Sequence, residues 1–186
     1  MAPIDQTVDY FKDDFSKGLF PLDTNKIIIE NSASFLNEYI YEKILDNQET
    51  ADHFLPQARC YAAKHGLNLR RTLKLDPVAE FYIYDLIRRN RSSFRKDFSN
   101  NRLSFGHQFD NGKPISLSHA YREFRKSISK ANKEYQHGLK LDIASYFNSI
   151  YHHDIVRWFD NGTRNQNDVE GLGQFLREIN SGRSID

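Results

Sequence analysis

The sequence predicts an α+β layer fold, and three observations carry that prediction. Helical and strand periodicities alternate irregularly along the 186 residues, with no internal repeat or low-complexity tract. Hydrophobic residues make up 39% and charged residues 27%, enough for a core of ordinary size, which excludes wholesale disorder. The longest apolar runs, such as Ile27 to Ile29, are too short to span a membrane. The start, Met1-Ala2-Pro3-Ile4-Asp5, lacks the basic and apolar regions of a signal peptide. One cysteine, Cys60, excludes a disulfide framework within the chain and a multi-cysteine zinc site, so a reducing, cytoplasmic setting is the default.

Each element has a local reason. Ser32 or Ser34 can cap a helix to about Asn47, with Phe35, Tyr39, Ile40 and Ile44 at helical spacing. A second helix is expected from Asp52 to His65, stopped by Gly66 and carrying Cys60 as a buried thiol. Leu69 to Leu75 alternates apolar and polar residues and reads as a strand. Asp76-Pro77 then starts a helix to about Asn90, with a carboxylate at the N-cap and proline at N1. Arg102 to Phe109 is a short strand closed by the Asp110-Asn111-Gly112 turn. Ser116 or Ser118 begins a helix through about Lys130, and Gln136 to Asp142 reads as a buried strand. His152 to Phe159 is helical, Asp160 to Asn167 is a polar loop, and a last helix covers Asp168 to Asn180.

The net charge of +1 conceals strong segregation. Residues 1–58 hold 4 Lys/Arg and 11 Asp/Glu, a net of −7, whereas residues 59–102 hold 11 and 4, a net of +7. Arg88, Arg89, Arg91, Arg95 and Lys96 lie among aromatics in that basic block, a pattern suited to a nucleic-acid backbone. A solvated face that balances the acidic segment accounts for the same charges.

The most informative stretch runs Leu139-Lys140-Leu141-Asp142-Ile143-Ala144-Ser145-Tyr146-Phe147-Asn148-Ser149-Ile150-Tyr151-His152-His153. An apolar run ends at a lone carboxylate, with two aromatics on the turn after it. A carboxylate at a strand end suits Mg²⁺, because the sheet fixes the oxygen while the open end admits water and phosphate. Adjacent His152 and His153 point about 100° apart on a helix and converge poorly on one ion.

This stretch resembles the first palm motif of reverse transcriptases of the retron, group II intron and phage-defence types, Asp-Ile-x-x-Phe/Tyr-Phe-x-x-Ile-x-His. Asp142, Ile143, Tyr146, Phe147, Ile150 and His152 match it, six residues across eleven positions. Upstream, Arg71-Thr72-Leu73-Lys74-Leu75-Asp76-Pro77 and then Leu103-Ser104-Phe105-Gly106 are similar to the fingers of the same enzymes, in the same order. The resemblance covers about residues 66–186. It implies helix-rich fingers plus the N-terminal half of the palm of a right-hand polymerase. Residues 1–65 form an acidic helical N-terminal extension, 66–135 a fingers-like region, and 136–186 a partial palm.

By resemblance, Asp142 and the Ile143 carbonyl are ligands of a site for two Mg²⁺ ions about 3.5–4 Å apart, which adds dNTPs to a 3′ end. Phe147 falls where the family's steric gate excludes a ribose 2′-hydroxyl. Arg71, with Arg70 or Lys74 as alternatives, meets the incoming triphosphate. The implied partners are an RNA template, a DNA primer or product and dNTP, with a non-coding RNA or a second subunit as further candidates and no membrane. The N-terminal extension and the Ile-Tyr-His-His spelling point to a role in antiviral defence.

The pattern then breaks off. The Pro-x-Gly turn and the Asp-Asp hairpin of the remaining palm motifs are not in the sequence, whose one Asp-Asp pair is Asp13-Asp14. One motif carboxylate leaves the ion pair short of ligands, so this 186-residue segment is expected to be inactive by itself. The alternatives are a non-catalytic palm-like module that binds RNA or a partner, and a structural α+β domain with a chance motif.

Overall fold

The computed structural model describes residues 3–15, 22–46, 52–63, 69–92, 109–110, 113–142, 150–163 and 165–180. Helix α3 (Pro77–Arg89) is the element on which the others converge. It starts as the sequence dictates: the Asp76 carboxylate accepts hydrogen bonds from the Val78 and Ala79 amides, and Pro77 sits at N1. Its buried residues include Ala79, Phe81, Tyr82, Asp85 and Leu86, so two of its sides face protein.

Helices α1 (Pro3–Phe15) and α2 (Asp23–Glu38) pack against α3 and each other. Phe11 of α1 is fully buried and meets the Tyr84 ring edge-on at 5.3 Å, while the Tyr84 hydroxyl donates to Asp14 at 2.8 Å. The acidic N-terminal segment is thus folded onto the helix that follows Pro77. Asn25 of α2 donates to the Leu75 carbonyl and to Glu80, which ties α2 to the start of α3. Each fully buried Phe, Ile or Leu along these seams contributes about 1.5–3 kcal/mol.

Helix α2 begins at Asp23 rather than at Ser32 or Ser34. Ser32 instead marks a kink, with φ −127° and ψ 19°, inside one continuous element. The inward positions Asn25 and Ile29 precede it, so the helix was already committed upstream of the serines. Beyond Glu38 the chain continues as a wider π-type helix, Tyr39–Leu45, that buries Ile40 and Ile44.

The helix expected from Asp52 to His65 is not formed. Residues 52–57 are irregular, and β1 (Ala58–Ala63) pairs antiparallel with β2 (Leu69–Lys74) in the register Tyr61 opposite Arg71. Pro56 supplies the reason: it lacks an amide donor and holds Leu55 extended. The Gln57 amide then bonds the Ile179 carbonyl at 2.9 Å, which no helix through this segment allows. Cys60 therefore lies on a strand and is half-buried, not a core thiol of a helix. Gly66 falls outside the described residues.

Strand β2 matches its alternation, but Leu69 and Leu73 are exposed. The short strands β3 (Phe109–Asp110) and β4 (Lys113–Pro114) pair antiparallel, and Asn111 and Gly112 of the expected turn lie outside the described residues. Phe109 lies against Tyr10 at 5.3 Å, and the rest of the expected strand, 102–108, lies outside the described residues. Helix α4 (Leu117–Glu134) is capped by Ser116 and runs four residues past Lys130. Helices α5 (His152–Gly162) and α6 (Gln166–Ile179) pack on each other, and α6 also meets α3. The polar loop between them is shorter than Asp160 to Asn167, because both helices extend into it.

The buried strand expected from Gln136 to Asp142 is absent. This stretch is irregular and solvent-facing, with Leu139 85% and Leu141 80% exposed. A strand needs a neighbour to satisfy its backbone, and no described strand lies beside it. Among the described residues the architecture is a helix-rich α+β arrangement with two two-stranded antiparallel sheets.

Tyr82 of α3 packs directly on Gly171 of α6. The Tyr82 ring is buried between Phe54 at 5.0 Å and Phe175 at 5.2 Å. Its hydroxyl has no hydrogen-bond partner among the described residues, and a Cβ at Gly171 would lie 2.6 Å from it. Alanine at a helix interior gains about 1 kcal/mol over glycine, but forcing apart a packed core costs about 1–3 kcal/mol. Gly171→Ala is therefore expected to lower stability. In a Tyr82→Phe background, where the hydroxyl is gone, the same change is expected to be neutral or stabilising. Thermal melts of the four proteins of this cycle check it, and equal costs in both backgrounds refute the clash.

Candidate functional site

The most elaborate polar arrangement centres on Asp85 of α3. Its Oδ1 accepts from the Thr7 hydroxyl at 2.7 Å and from Arg88 Nη2 at 3.0 Å. Its Oδ2 accepts from the Tyr41 hydroxyl at 2.8 Å and faces Arg89 Nε at 2.8 Å. Burial alone raises the Asp85 pKa, but the Thr7 bond, the Arg89 charge and the Tyr41 and Arg88 bonds together hold it below the ordinary value. Burial and the neighbouring Asp85 push the Tyr41 phenol up, so it stays a neutral donor. Arg89 continues the chain to Asp168 of α6 at 2.8 Å, and Asp168 accepts from Asn90, which accepts from Thr163. Helices α1, α3 and α6 and the π-type segment are thereby joined through one set of charges.

Beside this network, a cleft of about 1180 Å³ opens between the π-type segment and α6. Among its described lining residues, five are carboxylates, including Asp168 and Glu178, against the guanidiniums of Arg89 and Arg177. Such a lining repels a triphosphate. Its polar groups also serve the fold: Glu178 accepts from the Phe54 amide at 2.8 Å, and Gln174 donates to the Ile44 carbonyl at 3.1 Å.

The residues singled out in the sequence are dispersed. Arg88 is buried against Asp85, and Arg89 is held by Asp85 and Asp168. The two were expected to contact a nucleic-acid backbone; here their charges are matched by carboxylates within the protein. Arg91 is half-buried and donates to the Arg88 carbonyl at 2.9 Å, while Arg95 and Lys96 lie outside the described residues. Lys74 is largely buried in an ion pair with Glu80 at 2.6 Å, which removes it from a triphosphate. Arg71 remains on the exposed face of the β1–β2 hairpin with Arg59 and Tyr61; Arg70 lies on the same strand.

Asp142 is exposed at the end of the irregular stretch after α4, and Ile143 and Phe147 lie outside the described residues. Helix α5 starts at His152, whose ring centroid is 3.9 Å from that of His153. Desolvation, then His153 and Arg177, hold the His152 pKa below its usual value. Among the described residues no three His, Cys, Asp or Glu side chains are grouped as metal ligands. No helix among them is long and apolar enough to cross a membrane.

Part of the Asp85 network was visible in the sequence, since Arg88 and Arg89 follow Asp85 at helical neighbour spacings. Thr7, Tyr41 and Asp168 carry no such signal, being brought in from other elements. No protein-family model, curated protein or solved structure matches this chain.

Proposed function

We propose that this chain forms the fingers and the first palm segment of an RNA-directed DNA polymerase, with a role in antiviral defence. The observation that carries the reading is the six-residue match from Asp142 to His152. Two features support it. The β2 strand passes through Asp76-Pro77 into α3 in the order the fingers resemblance implies, and α5 begins at His152, where the motif places a helix start. In this reading residues 136–142 pair with the hairpin that carries the Asp-Asp motif, which is not among the 186 residues. Magnesium, dNTP, RNA template, DNA primer and any non-coding RNA or second subunit enter as parts of the proposal.

Primer extension on an RNA template, by the protein expressed from its complete reading frame, tests the reading. Asp142→Ala is expected to lower extension by about 10³-fold or more, because it removes charge stabilisation from the reacting phosphate. Extension by the variant at the wild-type rate refutes it. The 186 residues alone are expected to give no extension.

A second reading, a non-catalytic module for RNA or a partner, is favoured by the exposed hairpin face of Arg59, Tyr61, Leu69, Arg71 and Leu73. Salt-dependent RNA binding without polymerase activity, unchanged by Asp142→Ala, distinguishes it.

A further inference from the structure

We propose that the polar face of helix α4 is a docking surface for a nucleic-acid phosphate backbone. Arg122, Lys126, Lys130 and Lys133 follow one another at spacings of four, four and three residues, so they form one row along the helix, with Arg125 beside it. All five are exposed. Lys126 pairs with Glu123 at 2.8 Å, a carboxylate that also feels the Arg122 charge, whereas Arg125, Lys130 and Lys133 form no ion pair among the described residues.

Their geometry suits a polyanion with regular spacing. Four helical residues rise about 6 Å, so the row presents evenly spaced positive charge along about 16 Å of the helix, as an extended polyanion requires. The apolar residues Tyr121, Phe124 and Ile128 lie on the opposite side of α4. A helix with cations on one side and aromatics on the other also suits a lipid surface that buries the apolar side, and binding to anionic vesicles is the outcome that tells the two apart. The preference for nucleic acid over another polyanion rests on the polymerase reading, since Asp142 follows α4 by eight residues. The surface also replaces Arg88 and Arg89, whose charges are matched internally.

Fluorescence anisotropy of the 186-residue protein with a labelled RNA–DNA hybrid, about 20 base pairs long, tests the inference over about 0.05–0.2 M KCl. The variant R122Q/R125Q/K130Q/K133Q is expected to bind at least about 100-fold more weakly at 0.1 M salt. Its slope of log affinity against log salt is expected to be shallower by about 3–4, from ~0.7–0.9 per lost contact. Glutamine keeps high helix propensity, and circular dichroism verifies the fold. The charge-preserving variant R122K/R125K/K130R/K133R is expected to retain the wild-type salt slope. Unchanged affinity and slope in the glutamine variant overturn the proposal. So does binding to phosphatidylglycerol vesicles, abolished by Phe124→Ala, in a protein that does not bind the hybrid. Hybrid binding through α4 by a protein whose complete form extends no primer leaves this inference standing and removes the polymerase reading.

Discussion

Asp85→Ala is expected to destabilise the fold by about 3–5 kcal/mol, the cost of leaving a buried cation without its counter-charge. Arg88 is buried and loses its carboxylate, Thr7 and Tyr41 lose their acceptor, and Arg89 keeps only Asp168 and Tyr41. Urea denaturation of the wild-type and variant proteins measures the loss, and a change below about 1 kcal/mol refutes the assignment of Asp85 as the organising charge. The same carboxylate sets an acid limit. Its folded pKa is held below the ordinary 3.8, so its contribution is complete above that value and is lost as pH falls through the lowered folded value. Stability of the wild type is expected to drop on acidification below about pH 4, with part of that slope missing in Asp85→Asn.

Phe54→Ala is expected to cost about 3–5 kcal/mol, the usual loss for a buried phenylalanine whose cavity stays open. Phe54 is 1% exposed and lies on an irregular segment, yet its ring contacts Tyr82 of α3 and Phe175 of α6, and its amide donates to Glu178. These contacts fasten the chain just before β1 to both helices, so the cavity cannot close by moving one element. Thermal and urea melts are the measurement. A cost under about 1.5 kcal/mol would mean that the segment collapses into the space and is not a fixed part of the core.

How far the fold was legible depends on whether each element's cause is local. The start of α3 was legible because Asp76 and Pro77 act on their own neighbours, through a side-chain cap and a fixed φ. The Ser116 cap of α4 followed for the same reason, and the last two helices, which carry no side-chain cap, followed from their apolar periodicity. Residues 52–63 failed because the alanines near Cys60 favour a helix in isolation, while pairing with β2 and the Gln57 bond to Ile179 favour an extended chain. Pro56 was the one local warning. Residues 136–142 failed for the converse reason: the apolar pattern suits a strand, but a strand is a property of two segments, and no described neighbour pairs with it.

The candidate site divides in the same way. The six matching residues from Asp142 to His152 are a property of the sequence, and the proposal of nucleotidyl transfer rests on them. The sequence also determined the helix starts at Asp76 and Ser116 and the opposed charges of its first two segments. Only the tertiary structure decided which cations remain available. Asp85 neighbours Arg88 and Arg89 on α3, but all three cations read as surface charges until the fold buries Arg88 against Asp85, brings Asp168 within 2.8 Å of Arg89 and sets Glu80 2.6 Å from Lys74. The physical reason is that a charge's availability is set by what the fold places beside it, and two of those partners lie on helix α3 while the third comes from α6, some 80 residues along the chain.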